Sequence, residues 1–380
     1  MKTKNNAKLL LTQNNVLEKP ALARRHMLQM IGCASLTSVV SGCANLQNVG
    51  DLSLSTTGSL PAALLVPLSG PRARLGQIMA SAARLVEGQN GVNPKIAILD
   101  TQGTPAGAVK AARQALSRKS RILLGPLLAG PTRAVLKAVG TQVPVVSFSN
   151  DANIARAGGY VFGITIRQSA ETMFGFAANR GLKSVAVITP PGIYGQRAIE
   201  VSRSVAANLG MAFFRPVVQS ASQGLLRSLK NNNNGRLPDA VYLPSAGKNL
   251  PGYARALALS NIQVMGSLQW SSIAPETLPD LDGAWFAAPD PIGNQRFQQD
   301  FQNRTGARAG ILAGLAYDAT AMALFLGRSR QAMAKGLVRP QGFKGVLGPY
   351  RFNADGTCAR GLSVLSVSGS ETILIGTIAL

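Results

Sequence analysis

The sequence predicts an α/β protein of two doubly wound, parallel-sheet lobes with extended crossovers between them and a β-rich C-terminal tail. Short apolar runs recur along the chain, each closed by a loop rich in Gly, Pro, Ser or Asp, as expected of strands buried on both faces of a parallel sheet. Between the runs, apolar residues recur at helical spacing, so strand and helix alternate. The series stops and restarts once, and 380 residues with 46% hydrophobic content are more than one ordinary core requires.

The folded part begins near Ala62. Ala62 to Val66 is a strand that ends at Pro67-Leu68-Ser69-Gly70-Pro71. A helix follows from about Ala73 to Glu87, with Leu75, Ile78, Met79, Ala82 and Leu85 on one face. Lys95 to Leu99 is the second strand. Thr104-Pro105 starts a second helix, whose Ala108, Ala111, Ala112 and Ala115 make a flat face for sheet packing. The stretch Arg121–Asp151 states the unit most clearly. Ile122, Leu123 and Leu124 form a run stopped by Gly125-Pro126, and Gly130-Pro131-Thr132 opens a helix in which the missing N–H of Pro131 costs nothing. Ala134, Val135, Ala138 and Val139 recur on one side, Val143 to Val146 is the next strand, and Ser147, Ser149, Asn150 and Asp151 follow it. A right-handed βαβ crossover puts both loops at the same sheet edge, where open α/β sheets bind ligands. These loops are expected to line one wall of a ligand cleft.

Tyr160 to Ile164 is extended and crosses toward a second series. Ala170 to Asn179 is helical, and Ser184 to Ile188 is a strand ending at Thr189-Pro190-Pro191-Gly192-Ile193-Tyr194-Gly195. A helix to Leu209, a strand from Ala212 to Val218 and a short helix over Gln223–Lys230 come next. They are followed by a strand over Ala240–Leu243, a helix over Leu250–Leu259 and a strand from Gln263 to Met265 that leads into Gly266-Ser267-Leu268-Gln269-Trp270. Ala284 to Ala287 returns toward the first lobe, and helices follow at about Asn294–Arg304 and Ile311–Leu326. Strands at Tyr350–Phe352, Leu362–Val367 and Thr372–Ile378 form the tail, with a turn at Asn353–Gly356.

The first 43 residues read as an export signal. Arg24-Arg25 precede a modest apolar stretch from Met27 to Val40, and Val40-Ser41-Gly42-Cys43 closes it. The ending resembles the lipobox of bacterial lipoproteins, which implies acylation of the Cys43 thiol. Arg24–Leu28 also resembles a twin-arginine signal. Residues 44–60 are polar and rich in Gly, Ser and Thr, a flexible tether. Loss of Cys33 with the leader and acylation of Cys43 would leave Cys358 alone, so no internal disulfide is expected.

Lys and Arg number 39 against 16 acidic residues, a formal charge of +23, which falls to +18 when six Lys/Arg and one Glu leave with residues 1–43. The cations are scattered, without dense runs or interleaved aromatics, which argues against nucleic acid as a partner. The one histidine, His26, lies in the leader. The mature chain therefore has no Ser-His or Cys-His catalysis and no His-ligated metal, and dinucleotide and phosphate-loop motifs are missing. Neither catalysis nor a cofactor is expected.

Five motifs follow one another along the chain: Pro67-Leu68-Ser69-Gly70, Leu124-Gly125-Pro126, Ile193-Tyr194-Gly195, Leu315-Ala316-Tyr317-Asp318-Ala319 and Gly348-Pro349-Tyr350-Arg351-Phe352. With the order of the elements, they resemble the type I periplasmic binding proteins of the leucine-binding branch. Within that branch, Leu64–Gly70, Leu123–Leu127 and Val145–Asn150 are similar to the penicillin-binding-protein activator lipoproteins. The resemblance implies three interlobe crossings, a hinge and a ligand between the lobes. It divides the chain into a signal peptide (1–43), a tether (44–60), a first lobe (61–164 with 289–342) and a second lobe (165–288 with 343–380). It also implies a cleft contributed by Ser69, Thr132, Ser147, Ser149, Asn150, Asp151, Tyr194 and Gln269. The family's amino-acid binders hold the ammonium with an acid in the loop after Met265-Gly266. Here Gln269 is the nearest polar residue, which argues against a tightly held zwitterion. The expected role is non-catalytic capture of a small polar ligand on the periplasmic face, as solute receptor of an ABC permease for amino acids. The alternative is contact with a peptidoglycan synthase.

Overall fold

Five parallel strands make the first sheet: β1 (Ala63–Val66), β2 (Ala97–Asp100), β3 (Leu123–Leu124), β4 (Val145–Ser147) and β5 (Tyr160–Val161), in the order β2-β1-β3-β4-β5. This computed structural model describes residues 60–89, 96–273, 279–328 and 333–377. The expected leader, Cys43 and the tether up to residue 59 lie outside the described residues. Helices α1 (Ala73–Gln89), α2 (Pro105–Ser117) and α3 (Ala129–Val139) and the short α4 (Asn153–Arg156) connect the strands. Thr104 caps α2 by accepting the Gly107 N–H at 3.1 Å, and the alanine face that follows is buried against the sheet with Leu65, Leu123 and Val145. On α1 the buried face is Met79, Ala82, Ala83 and Val86; Leu75, expected inside, shares that stripe but is 39% exposed in the first turn of the helix. On α3, Ala138 is exposed, and Thr132, Val135, Leu136 and Val139 face inward.

The second sheet takes β6 (Ser184–Thr189), β7 (Ala212–Phe213), β8 (Val217–Val218), β9 (Ala240–Leu243), β10 (Gln263–Gly266) and β11 (Trp285–Ala288), all parallel. It is covered by α5 (Ile166–Asn179), α6 (Ile193–Asn208), α7 (Leu225–Asn232) and α8 (Leu250–Leu257). The strand expected over Ala212–Val218 is split into β7 and β8, both paired with β6. Pro216 has no N–H for the ladder, and the Arg215 N–H goes to Asn233 Oδ1 at 2.8 Å instead.

The chain then returns to the first sheet. Helices α9 (Pro291–Thr305), α10 (Ile311–Arg328) and α11 (Met333–Leu337) come first, then an antiparallel sheet of β12 (Phe343–Gly345), β13 (Gly348–Phe352) and β14 (Cys358–Arg360). Helix α10 is long and apolar enough to cross a membrane by composition, but it packs along α1, with Ala313, Ala316, Ala319 and Ala323 in one cluster with Met79, Ala82 and Ala83. Leu347, Tyr350 and Phe352 join the same cluster, so β12–β14 belong to the first lobe's core rather than to the second lobe, where a boundary at residue 343 would place them. The buried Asp318 carboxylate fixes this arrangement by accepting the Val346 N–H at 2.7 Å and the Leu347 N–H at 3.3 Å. The last strands, β15 (Ser363–Ser368) and β16 (Glu371–Thr377), add antiparallel to β11 and complete the order β16-β15-β11-β10-β9-β6-β7. The chain thus passes between the sheets at residues 162–165, 289–290 and 361–362.

Candidate functional site

The carboxyl ends of β4, β6 and β10 face a cavity of about 190 Å³ at the first crossover. Asn150 and Ile311 line it from the first lobe, Ile164, Thr165 and Ile166 from the crossover, and Ser169, Tyr194, Ser267, Leu268 and Gln269 from the second lobe. Ile166, Tyr194 and Ile311 stand in the first turns of α5, α6 and α10. Three helix N-termini, each carrying a partial positive charge, therefore meet at one space. Among the described residues, no acidic side chain lines it.

Each polar group is set by local bonding. Thr165 closes a capping box with Gln168: its Oγ1 accepts the Gln168 N–H at 3.2 Å, and its own N–H reaches Gln168 Oε1 at 2.9 Å. Tyr194 Oη donates to the Pro244 carbonyl at 3.0 Å, and Ser267 Oγ donates to the same carbonyl at 2.7 Å. Ser267 Oγ also takes the Gln269 N–H at 3.1 Å, while Gln269 Oε1 takes the Ala246 N–H at 3.2 Å, leaving the Gln269 amide NH2 directed by neither bond. Burial raises the Tyr194 phenol above its usual pKa, so it stays protonated.

The expected site residues divide into distinct groups. Asn150, Tyr194 and Gln269 line the cavity. Thr132, Ser147 and Ser149 are buried beneath it. Thr132 Oγ1 donates back to the Leu128 carbonyl at 2.8 Å and lies 2.9 Å from Ser147 Oγ. Ser147 Oγ in turn accepts the Ser149 N–H, and Ser149 Oγ accepts the Asp151 N–H. These hydroxyls shape the loop after β4 and do not face the open space. Ser69 lies apart, its Oγ donating to Asp100 Oδ2 at 2.6 Å.

Asp151 stands at the rim. Its carboxylate meets Arg133 Nη1 at 2.9 Å and, across the lobes, Arg197 Nη1 at 3.5 Å. Burial raises its pKa, but the Arg133 hydrogen bond, the Asn153 N–H and the Arg197 charge together outweigh this and hold it below the usual value. Arg197, Thr165, Ser169 and Ser267 were not expected as site residues. The signal for Arg197 is its place one helical turn beyond Tyr194; the other three are hydroxyl residues in strand-to-helix connections or the turn next to them, a type too common to single out.

Comparison with known proteins agrees with this architecture. The sequence model of the periplasmic binding protein family matches residues 59–371. A Rhodospirillum rubrum structure described as a branched-chain amino acid ABC transporter superposes with a TM-score of 0.74 at 20% identity, covering 83% of this chain and 100% of that one. A branched-chain amino acid ABC transporter periplasmic ligand-binding protein of Burkholderia xenovorans gives 0.68 at 15% identity, covering 83% and 94%. A Rhodopseudomonas palustris solute-binding protein in complex with 3,4-dihydroxybenzoic acid gives 0.60 at 18% identity, covering 84% and 97%. No curated protein matches the chain. With two α/β sheets linked by chain crossings, a cavity where their strand ends meet and a family match over most of its length, the chain belongs to the periplasmic binding proteins.

Proposed function

We propose that this chain is an exported, non-catalytic solute receptor, anchored through a lipid on Cys43, that holds a small organic carboxylate without an ammonium group between its lobes and delivers it to an ABC permease. The observation that carries the reading is the cavity of about 190 Å³, on which three helix N-termini converge and to which, among the described residues, no acidic side chain contributes. Helix N-termini favour an anion, and an ammonium would lose its hydration without gaining a counter-charge. The apolar part of such a ligand would lie against Ile164, Ile166, Leu268 and Ile311, with Asn150, Tyr194 and Gln269 offering hydrogen bonds to its polar end. A cavity below the roughly 300–1,000 Å³ of drug-sized sites suits a small solute. The Rhodopseudomonas relative in complex with 3,4-dihydroxybenzoic acid is consistent with an aromatic acid.

The test compares leucine with carboxylates that carry no ammonium. Titration calorimetry with 4-methyl-2-oxopentanoate, with benzoate and with leucine is expected to give binding of at least one of the first two and none of leucine. Leucine binding as tightly as its 2-oxo analogue would overturn the ligand class. Anchoring is read separately: Cys43→Ser in the full chain is expected to move the protein from the membrane to the soluble fraction of cells.

A further inference from the structure

A second cavity, of about 350 Å³, opens on the outer side of the first lobe, between α10 and β12. Ala321, Met322 and Phe325 of α10 line one wall, and Arg339, Phe343, Lys344 and Tyr350 line the other. Ile311, which lines the interlobe cavity, precedes Ala321 by ten residues on the same helix, or about 15 Å at the α-helical rise, so the two spaces are separate.

The chemistry of this cavity is not that of leftover core. Phe325 is 47% exposed, an unusual place for a phenylalanine beside two other rings. Phe343 stacks on Tyr350 with centroids 5.3 Å apart, and Phe325 meets Phe343 edge-on at 6.4 Å. The Arg339 guanidinium lies 5.1 Å from the Phe325 centroid and 5.7 Å from that of Phe343, and its buried Nε has no hydrogen-bond partner among the described residues. Lys344 is the other cation of the lining, and among the described residues no acidic side chain lines the cavity. An arginine normally spends its N–H groups on a carboxylate or on carbonyls. Here it lies over aromatic rings, beside a void, with a donor unused.

We infer that this aromatic and cationic cavity is a second binding site, for a small flat amphipathic anion such as an aromatic carboxylate or sulfonate. The ring of such a ligand stacks against Phe325 and Phe343, and its anionic group accepts hydrogen bonds from Arg339 and sits beside Lys344. Charge and shape select the ligand: the rings exclude a strongly hydrated ion, and two cations without a carboxylate disfavour a cation or zwitterion.

The probe is 8-anilinonaphthalene-1-sulfonate, titrated into the full chain by fluorescence at low salt and again at 0.5 M salt. Saturable binding that weakens in high salt is expected. Arg339→Gln is expected to weaken it by about tenfold, the effect of losing a hydrogen bond to a charged group. Lys344→Gln, an exposed position that cannot disturb folding, is expected to weaken it by about threefold through loss of one surface charge. Asn150→Ala in the interlobe cavity is expected to leave it unchanged. Binding unaltered in both Arg339→Gln and Lys344→Gln, or abolished by Asn150→Ala, would overturn the assignment. These outcomes are independent of whether the interlobe cavity takes 4-methyl-2-oxopentanoate or benzoate.

Discussion

Asp318 is 2% exposed, and burial raises its carboxyl to about 6, with the neighbouring Arg360 charge and the Val346 and Leu347 N–H groups pulling the other way. The folded value exceeds the unfolded one, so ionisation is disfavoured by folding. Stability from this group is greatest below about pH 4 and is lost as pH rises through 6, by about 3 kcal/mol in all. Urea unfolding at pH 4 and at pH 7 should show this fall in the parent chain, and Asp318→Asn should be flatter by about that amount. Asp151 has the opposite sign. Its folded value is depressed, so its contribution is present at neutral pH and is lost as pH falls below the ordinary carboxylate range. Its arginines are half exposed, with side-chain accessibilities of 51% and 52%, so the pairs are largely screened. Asp151→Asn is expected to cost only about 0.5–1 kcal/mol in the same assay.

At the scale of elements, the turn after β10 makes the site most sensitive to a single atom. A Cβ on Gly266 would lie 2.1 Å from Trp270 Cδ2, and Trp270 is 2% exposed. Gly266→Ala must push that indole, and the Ser267–Gln269 turn moves with it. A loss of about 1–3 kcal/mol in unfolding free energy is expected, together with weaker ligand binding in calorimetry. A substitution that lowered stability and left binding intact would separate the turn from the site. This turn also shows what the sequence could and could not disclose. The strands were legible because a strand buried on both faces is a near-continuous apolar run, as β1, β9 and residues 185–188 of β6 are. Helix α2 was legible because Thr104-Pro105 and four alanines fix its start and its face. The break between β7 and β8 was carried by Pro216, but its consequence depends on the Asn233 side chain meeting Arg215 from a distant loop. The hydroxyls of Thr132, Ser147 and Ser149 were visible in the sequence but not their direction, since whether a hydroxyl faces a cavity or the backbone is settled by packing. The placement of β12–β14 in the first lobe was hidden because Leu347, Tyr350 and Phe352 are apolar in either lobe; the Asp318 carboxylate decides between them.

At the scale of the whole molecule, the lobes are joined by three short passages, an arrangement in which two lobes can close about a hinge. Arg197 reaches from α6 to Asp151 on the opposite lobe, the residue that follows the cavity-lining Asn150. That contact adds little to stability but acts only when the lobes are close, so it biases the equilibrium between separated and approached lobes. Arg197→Glu replaces attraction with repulsion against the same carboxylate. Unfolding free energy should change by less than about 1 kcal/mol, because the position is exposed. The radius of gyration of the ligand-free protein, measured by small-angle scattering, should rise relative to the parent chain, and the difference should shrink at 0.5 M salt, where the Debye length is only a few ångströms. An unchanged radius at low salt would mean that lobe separation is set by packing at the crossovers alone and that the Asp151–Arg197 contact is a passenger of closure.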